Sequence, residues 1–145
     1  MKTTENKIRV TACRKSHFNA AHRLHNSGWG TAKNKEIFGV CNNDNFHGHN
    51  YDLIVSVSGE IDPGSGYVMD MKILQDLVDA YIISRFDHKN LNLDVEDFRD
   101  LNPTAENIAV VIWNILRDVI PEDLELAITL YETERNFVEY SGPNT

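Results

Sequence analysis

Two histidines and a cysteine between residues 41 and 51 have the clearest potential for chemistry in this chain. The stretch reads CNNDNFHGHNY, and only Gly48 separates His47 from His49. In an extended strand, side chains at positions i and i+2 point to the same face, so both imidazoles would reach one metal ion. The spacing therefore predicts two nitrogen ligands. A single His-x-His pair also occurs as an ordinary surface pair, so a metal site needs further ligands.

His22 and His25 are the candidates for a third ligand. His22 lies just beyond the first predicted strand, and the HGH sequence opens the second. If those strand ends are neighbours, His22 completes a set of three imidazoles with an open fourth position. Three protein ligands and one exchangeable position are typical of catalytic zinc, whereas structural zinc usually has four protein ligands. His25 is an alternative because it lies close to His22 in the sequence.

Cys41 is a candidate for proton transfer. A thiol beside a bound cation has a lowered pKa and becomes a usable base or nucleophile. A lone cysteine is more often a small buried hydrophobe, but three nearby asparagines make this neighbourhood polar. Cys41 could also be a metal ligand, although five residues separate it from His47, so we favour proton transfer.

Three carboxylates and a fifth histidine complete the candidates. Asp87 and His88 follow a predicted helix directly, and a carboxylate next to an imidazole can form an acid–base relay. Alternatively, the pair merely ends the helix favourably. Glu106 and Glu132, in the first turn of another helix and at the end of a strand, could each bind the N–H edge of a planar heterocycle. Each also has a purely structural explanation.

Hydrophobic patterning predicts the strands that must position these residues. Loose alternation over residues 8–18 and clean alternation over residues 50–61 each predict a strand. Residues 26–46, between them, are polar and predict a long loop of the kind that is often functional. The sequences LAITLYET and NFVEY predict a closing hairpin.

Two helices are predicted between the second strand and the hairpin. Asp70 can cap the first, whose apolar stripe runs from Met71 to Ile82 and includes Tyr81. The second starts near residues 102–104, with Pro103 suited to the first helical position. Because strands and helices occupy separate stretches of the sequence and do not alternate, we expect the α+β class with a mainly antiparallel sheet.

Composition limits the partners. Acidic residues number 22 against 14 Lys and Arg, a formal net charge of −8, so nucleic-acid binding has little support. No apolar run approaches the roughly 18 to 20 residues that span a bilayer. Cys13 and Cys41 are the only cysteines, which favours a reduced, cytoplasmic setting. We expect one cytoplasmic domain, residues 1–145, with no nucleic-acid or membrane partner.

Taken together, these motifs resemble the 6-pyruvoyl-tetrahydropterin synthase family. The resemblance covers nearly the whole chain and rests on segments that occur in one order: FNAAHRLHN, CNNDNFHGHNY, GEIDPGSGYVMD, FDHKNLNLD, NPTAEN and LYETERN. It implies the tunnelling fold, a four-stranded antiparallel sheet with two helices on one face. It also implies trimers that stack into hexamers, with active sites at subunit interfaces.

The resemblance implies a role for each candidate residue. Zn²⁺ would be held by His22, His47 and His49. Cys41 would accept a proton that is relayed through Asp87 and His88. The catalytic set would be Cys41, Asp87, His88 and Glu132. Glu106 would anchor the pterin ring of 7,8-dihydroneopterin triphosphate, with Thr104 beside it in the substrate site. No role is implied for His17, His25 or Cys13, and the triphosphate cations are open among Arg23, Lys33, Lys35 and Lys89.

Three alternatives remain at this level. The 6-carboxy-tetrahydropterin synthases of queuosine biosynthesis share the substrate and the zinc site, but their cysteine stands nearer to the HGH pair. A zinc-binding assembly module without turnover would not need Cys41 or the relay pair. A zinc hydrolase would use metal-bound water as its nucleophile and would need only the three histidines.

Overall fold

Two long paired strands form the centre of the structure, a computed structural model that describes residues 7–144. β1 (Arg9–His22) and β2 (His47–Glu60) run antiparallel over their whole length, from the pair Arg9 and Glu60 to the pair His22 and His47. β4 (Glu125–Tyr131) pairs with β2, and β5 (Phe137–Tyr140) pairs with β4, both antiparallel.

The predicted four-stranded antiparallel sheet is incomplete, because a fifth strand runs parallel to β1. This is β3 (Lys89–Asn90), which pairs with Ala20 and Ala21 and gives the sheet order β3-β1-β2-β4-β5. Its position is fixed by a turn at Asp87. The Asp87 carboxylate accepts from the backbone N–H of Asn19 (2.9 Å), and the next backbone N–H donates to the Asn19 carbonyl (2.7 Å). A two-residue strand leaves no periodic signal in the sequence.

Both central strands reach farther toward the histidines than the predicted strands, which cover residues 8–18 and 50–61. The alternation fades there because the sequence changes from Phe and β-branched residues to Asn, Ala and Gly, which have low β propensity. His22 and His47 therefore lie within strands, as a directly opposed pair.

The structure contains more helices than the two that the sequence predicts. α1 (Thr31–Phe38) and a 3₁₀ turn (Gly39–Asn42) occupy the predicted loop over residues 26–46. α1 has little apolar periodicity, and Asn34 is its only buried residue. The Asn34 side-chain amide donates to the carbonyls of Asn26 and Gly30, so polar contacts, which a hydrophobic pattern cannot show, hold this helix.

The first predicted helix is one continuous helical segment. α2 (Met71–Val78) begins after Asp70, whose carboxylate caps the Lys72 N–H as predicted, and continues through a π turn (Asp79–Ile83) into α3 (Ser84–Phe86). Its buried residues recur every fourth position and are Leu74, Val78, Ile82 and Phe86. The prediction that Tyr81 belongs to the buried stripe is wrong, because it is 43% exposed where the wider π turn shifts the stripe.

α5 (Ala105–Arg117) is the second predicted helix, preceded by the short α4 (Leu91–Asp94) and a 3₁₀ turn (Glu96–Phe98). Thr104 is the residue that caps α5, since its hydroxyl accepts from the N–H of Asn107 at 3.1 Å. Pro103 therefore lies before the cap and not in the first helical position.

The helices cover one face of the sheet. Leu53, Val55 and Val57 of β2 are fully buried on this face, while the residues between them are partly exposed. They pack against buried residues of the two longest helical segments, such as Leu74 and Ile112. Among residues 7–144 no helix is long and apolar enough to cross a membrane.

Candidate metal centre and active site

The pairing of β1 with β2 brings three histidines together at one end of the sheet. His22 lies opposite His47, and His49 lies opposite the buried Ala20. One ring nitrogen from each histidine lies within 4.8 Å of those of the other two. The three side chains thus extend the buried face of the sheet to its end, where they meet as the sequence predicts.

Hydrogen bonding fixes the ring of His22, which is 0% exposed. Its Nδ1 lies 2.7 Å from the carbonyl oxygen of Pro103. Because a carbonyl can only accept, Nδ1 carries the proton and Nε2 keeps its lone pair. That Nε2 points at His47, whose Nε2 is 3.0 Å away. A backbone carbonyl that orients a histidine in this way is a common partner of metal-ligating imidazoles.

The histidine cluster fits a cation such as zinc. Two nitrogens bound to one tetrahedral zinc lie about 3.3 Å apart, given Zn–N bonds of about 2.0–2.1 Å, which is close to the observed separation of 3.0 Å. His49 Nε2 is buried and has no hydrogen-bond partner within residues 7–144. Buried polar atoms normally have partners, so a ligand that accepts nitrogen lone pairs accounts for this arrangement.

Burial favours the neutral form of His22 and of His47. It lowers the pKa of His22 from 6.5 to about 4, against the opposing effect of the Pro103 hydrogen bond. Burial, followed by the neighbouring His49, also lowers the pKa of His47, while Glu132 opposes that shift. Neutral imidazoles are the form that binds metals, so His22 and His47 are in that form near neutral pH.

The metal-free protein is expected to lose stability as the pH falls from about 7 to about 5. The unfolded chain protonates His22 near its ordinary pKa of 6.5, whereas the folded chain does so only near 4. The unfolded state therefore binds more protons in this window, and His22 alone should lower the free energy of unfolding by about 2 kcal/mol. Urea denaturation of chelator-treated protein at both pH values measures this.

His22→Gln, which cannot titrate, is the matched variant for that experiment. Its stability should fall less between the two pH values than that of the wild-type chain. An equal loss in both proteins would contradict the prediction.

Cys41 and Glu132 lie beside the histidine cluster. The Glu132 carboxylate approaches His49, with 3.9 Å between Oε1 and Nε2, and is 23% exposed. Burial raises the pKa of the Cys41 thiol, and the negative charge of Glu132 raises it further. The charge of Glu132 thus acts on both His47 and the Cys41 thiol. A bound cation would act in the opposite direction and lower the thiol pKa.

Asp87 and His88 form a pair at the β3 edge of the sheet. Asp87 Oδ2 lies 3.0 Å from His88 Nδ1, and the His88 side chain is 85% exposed. The Asn19 N–H, and then His88, lower the pKa of Asp87. In the part of the chain that the structure describes, neither residue hydrogen-bonds Cys41. Within one subunit, therefore, no hydrogen bond of these residues connects the predicted relay pair, Asp87 and His88, to Cys41.

The start of α5 borders the histidine cluster, because the Pro103 carbonyl bonds His22. Thr104, two residues before Glu106, uses its hydroxyl to cap the helix. Glu106 is exposed in the first turn of α5, as expected from its position in the sequence. Both lie on the segment that holds His22 in place.

Three other candidates have different structural roles. His25 accepts a hydrogen bond at Nδ1 from the Asn42 amide (2.9 Å) and is not part of the metal cluster. The Arg23 guanidinium, a candidate for binding triphosphate, instead donates to the Asn42 carbonyl (3.0 Å) and to Asp44. Lys33 lies over the ring of Trp29, at 4.3 Å from its centroid.

A sequence model of the family described as 6-pyruvoyl tetrahydropterin synthase matches residues 11–143. The chain belongs to this family. The resemblance seen in the sequence motifs is thereby confirmed.

Several relatives carry the family name. The 6-pyruvoyl tetrahydrobiopterin synthase of Homo sapiens is 43% identical over 129 residues, which is 89% of this chain and 89% of the relative. The solved structure of Caenorhabditis elegans 6-pyruvoyl tetrahydropterin synthase has a TM-score of 0.90 and 40% identity, and the match covers 97% of this chain and all of the other. The fold is thus that of the synthase family.

Other relatives have different names. The dihydroneopterin monophosphate aldolase of Pyrococcus furiosus is 34% identical, over 86% of this chain and 91% of the relative. The 6-carboxy-5,6,7,8-tetrahydropterin synthase of Rickettsia typhi is 28% identical, over 90% of this chain and 99% of the relative. Identity is therefore higher to the named pyruvoyl synthases.

Sequence patterns do not reveal every group that contacts the histidines in this member of the synthase family. The Pro103 carbonyl orients His22, and the Tyr51 hydroxyl lies 3.4 Å from the same ring nitrogen. The alternation of β2 predicts that Tyr51 shares a face with His47 and His49. A backbone carbonyl carries no sequence signal, so the contact of Pro103 appears only in three dimensions.

Proposed function

We propose that this chain is a zinc-dependent lyase that converts 7,8-dihydroneopterin triphosphate to 6-pyruvoyl-tetrahydropterin with release of triphosphate. The observation that carries the proposal is the convergence of His22, His47 and His49 with Cys41 and Glu132 beside them. Three clustered imidazoles, with no fourth His, Cys or carboxylate grouped with them among residues 7–144, correspond to a catalytic zinc site and differ from a structural one. Membership of the synthase family supports the substrate class.

The bound metal and Cys41 have different roles in the proposed elimination. When bound, the zinc ion supplies Lewis-acid polarisation of the oxygens on the substrate side chain. Cys41 takes a proton from a side-chain carbon, the C–O bond to triphosphate breaks, and the electron pair of the C–H bond forms the new double bond. Internal tautomerisation then gives the dicarbonyl product without an external redox cofactor.

Carboxylates supply recognition and proton transfer. Glu106, with Thr104 beside it, binds the amino-pyrimidine edge of the pterin through paired N–H bonds. Glu132 lies close enough to His49 and Cys41 to take part in proton movements within the site. Asp87 holds His88, which passes the proton onward.

We further propose an assembly of two stacked trimers, which acts in the cytoplasm with its two cysteines free. Among residues 7–144 no hydrogen bond joins Cys41 to the Asp87–His88 pair, and an active site at a subunit interface would account for this. His88 is exposed on one chain and could complete the site of a neighbour.

The deciding experiment incubates purified, zinc-loaded protein with 7,8-dihydroneopterin triphosphate, measures triphosphate release and identifies the pterin by mass spectrometry. The expected product is 6-pyruvoyl-tetrahydropterin. A 6-carboxy product with acetaldehyde would move the enzyme to queuosine biosynthesis, which the lower identity to the Rickettsia typhi relative disfavours. Absence of turnover by fully loaded protein would leave a zinc-binding assembly module or a hydrolase with another substrate.

A further inference from the structure

The segment that carries Cys41 is attached to residues that follow β1. The Leu24 N–H donates to the Cys41 carbonyl at 2.9 Å. Asn42, which is only 6% exposed, donates through its side-chain amide to the Leu24 carbonyl (2.7 Å) and to His25 Nδ1 (2.9 Å). The position of the Cys41 thiol therefore depends on the path of the chain immediately after His22.

Arg23 makes a second set of bonds to this segment. Its Nε donates to the Asn42 carbonyl at 3.0 Å, and its Nη2 donates to Asp44 Oδ1 at 2.6 Å. The Arg23 side chain is 23% exposed, so part of this ion pair is shielded from solvent. A planar guanidinium with two separate donors can hold two acceptors at once, which the single ammonium group of lysine does less rigidly.

Asn92 in turn holds the backbone of Arg23. The Arg23 N–H donates to Asn92 Oδ1 (2.8 Å), and Asn92 Nδ2 donates to the Arg23 carbonyl (2.9 Å). β1 ends at His22, so the side-chain amide replaces the strand partner that the backbone of Arg23 lacks. Asn92 is itself fixed, because its N–H donates to the Asn90 side chain at 3.1 Å, at the start of α4.

We propose that Asn92 is a positioning residue for Cys41. It fixes Arg23, and Arg23 fixes the segment next to the thiol. The inference rests on the proposed function, in which Cys41 is the proton acceptor. Only a side-chain amide offers one acceptor and one donor in the same plane at this length. Aspartate has the same shape but would place a carboxylate oxygen against the Arg23 carbonyl.

Asn92→Asp tests the proposal with two measurements. Triphosphate release should slow on the order of tenfold to a hundredfold with KM little changed, because the base is misplaced. Alkylation of Cys41 by iodoacetamide should become at least about threefold faster, because the thiol loses the burial that raises its pKa. Cys13, exposed on a distant part of β1, serves as the internal reference, and mass spectrometry resolves the two peptides.

Two further variants make the test decisive. Asn114→Asp, an equivalent change at an exposed position of α5, should leave both measurements at wild-type values. Arg23→Lys should speed alkylation of Cys41 like Asn92→Asp, and the double variant should exceed the larger single effect only slightly, since both residues act through one chain of contacts. Arg23→Lys also serves if Asn92→Asp does not fold.

The alkylation readout separates this inference from the proposed function. If wild-type protein does not turn over the pterin triphosphate, the proposed function fails while alkylation still reports on the position of Cys41. If folded Asn92→Asp and Arg23→Lys alkylate Cys41 at the wild-type rate relative to Cys13, the inference is wrong.

Discussion

Replacing His47 with alanine is expected to remove zinc from the protein. Two remaining imidazoles, His22 and His49, cannot hold the ion as three do, and affinity should fall by more than about 100-fold, since even the outer partners of metal ligands are worth 10- to 100-fold. Turnover should be lost with the metal. Zinc per chain, measured by atomic emission after dialysis against a weak chelator, should drop from about one in the wild-type protein to near zero.

His17→Ala is the matched control for this variant. His17 precedes the cluster on β1 but is exposed and pairs with Asp52 in the β1–β2 register. It should keep a full complement of zinc. Full zinc in dialysed His47→Ala would show that the three histidines are not the ligand set.

Cys41→Ala is expected to stop catalysis while it leaves zinc in place. Removal of a positioned general base typically costs about 10²- to 10⁴-fold in rate. The protein should remain folded, because Cys41 is only partly buried and forms no disulfide. The measurement is triphosphate release, with zinc content determined on the same sample. A hydrolase that attacks with metal-bound water would retain its activity in this variant, so near-wild-type turnover would contradict the assignment of Cys41.

His88→Ala provides a second test of the same assignment. It should also lower the rate, although zinc and the Cys41 thiol both remain. If the relay pair serves a neighbouring subunit, then subunits with Cys41→Ala and subunits with His88→Ala should recover activity when they are dissociated and reassembled together. Recovery in the mixture, but in neither variant alone, is the expected result. No recovery would place both residues in the site of one chain.

Much of the histidine cluster could be predicted from the sequence, because residues close together in the sequence of one strand supply two of its three members. The alternation of β2 puts His47, His49 and Tyr51 on one face, and the family motifs point to His22 as the third ligand. Exclusion of His25 needed the structure, since its ring is held by Asn42, which lies 17 positions away in the sequence. A motif likewise does not show that, among residues 7–144, no hydrogen bond joins Asp87 or His88 to Cys41.

The errors in the predicted fold have a common physical origin. The helix α1 and the strand β3 are held by polar contacts, those of Asn34 and Asp87, and hydrophobic periodicity does not report such contacts. Arg23 illustrates the same point, because its proximity to the motifs suggested a phosphate ligand. Its actual partners are the Asn42 carbonyl and Asp44.

The brevity of β3 has a consequence for the behaviour of a lone subunit in solution. It pairs only with Ala20 and Ala21, so over most of the described length of β1 the outward N–H and C=O groups have no strand beside them. Such an exposed strand edge is a template with which the backbone of another chain can form hydrogen bonds. A diluted or dissociated preparation is therefore expected to form irregular aggregates in place of stable monomers. If the proposed assembly of trimers forms, conditions that keep its subunits together should also be those that keep the protein soluble.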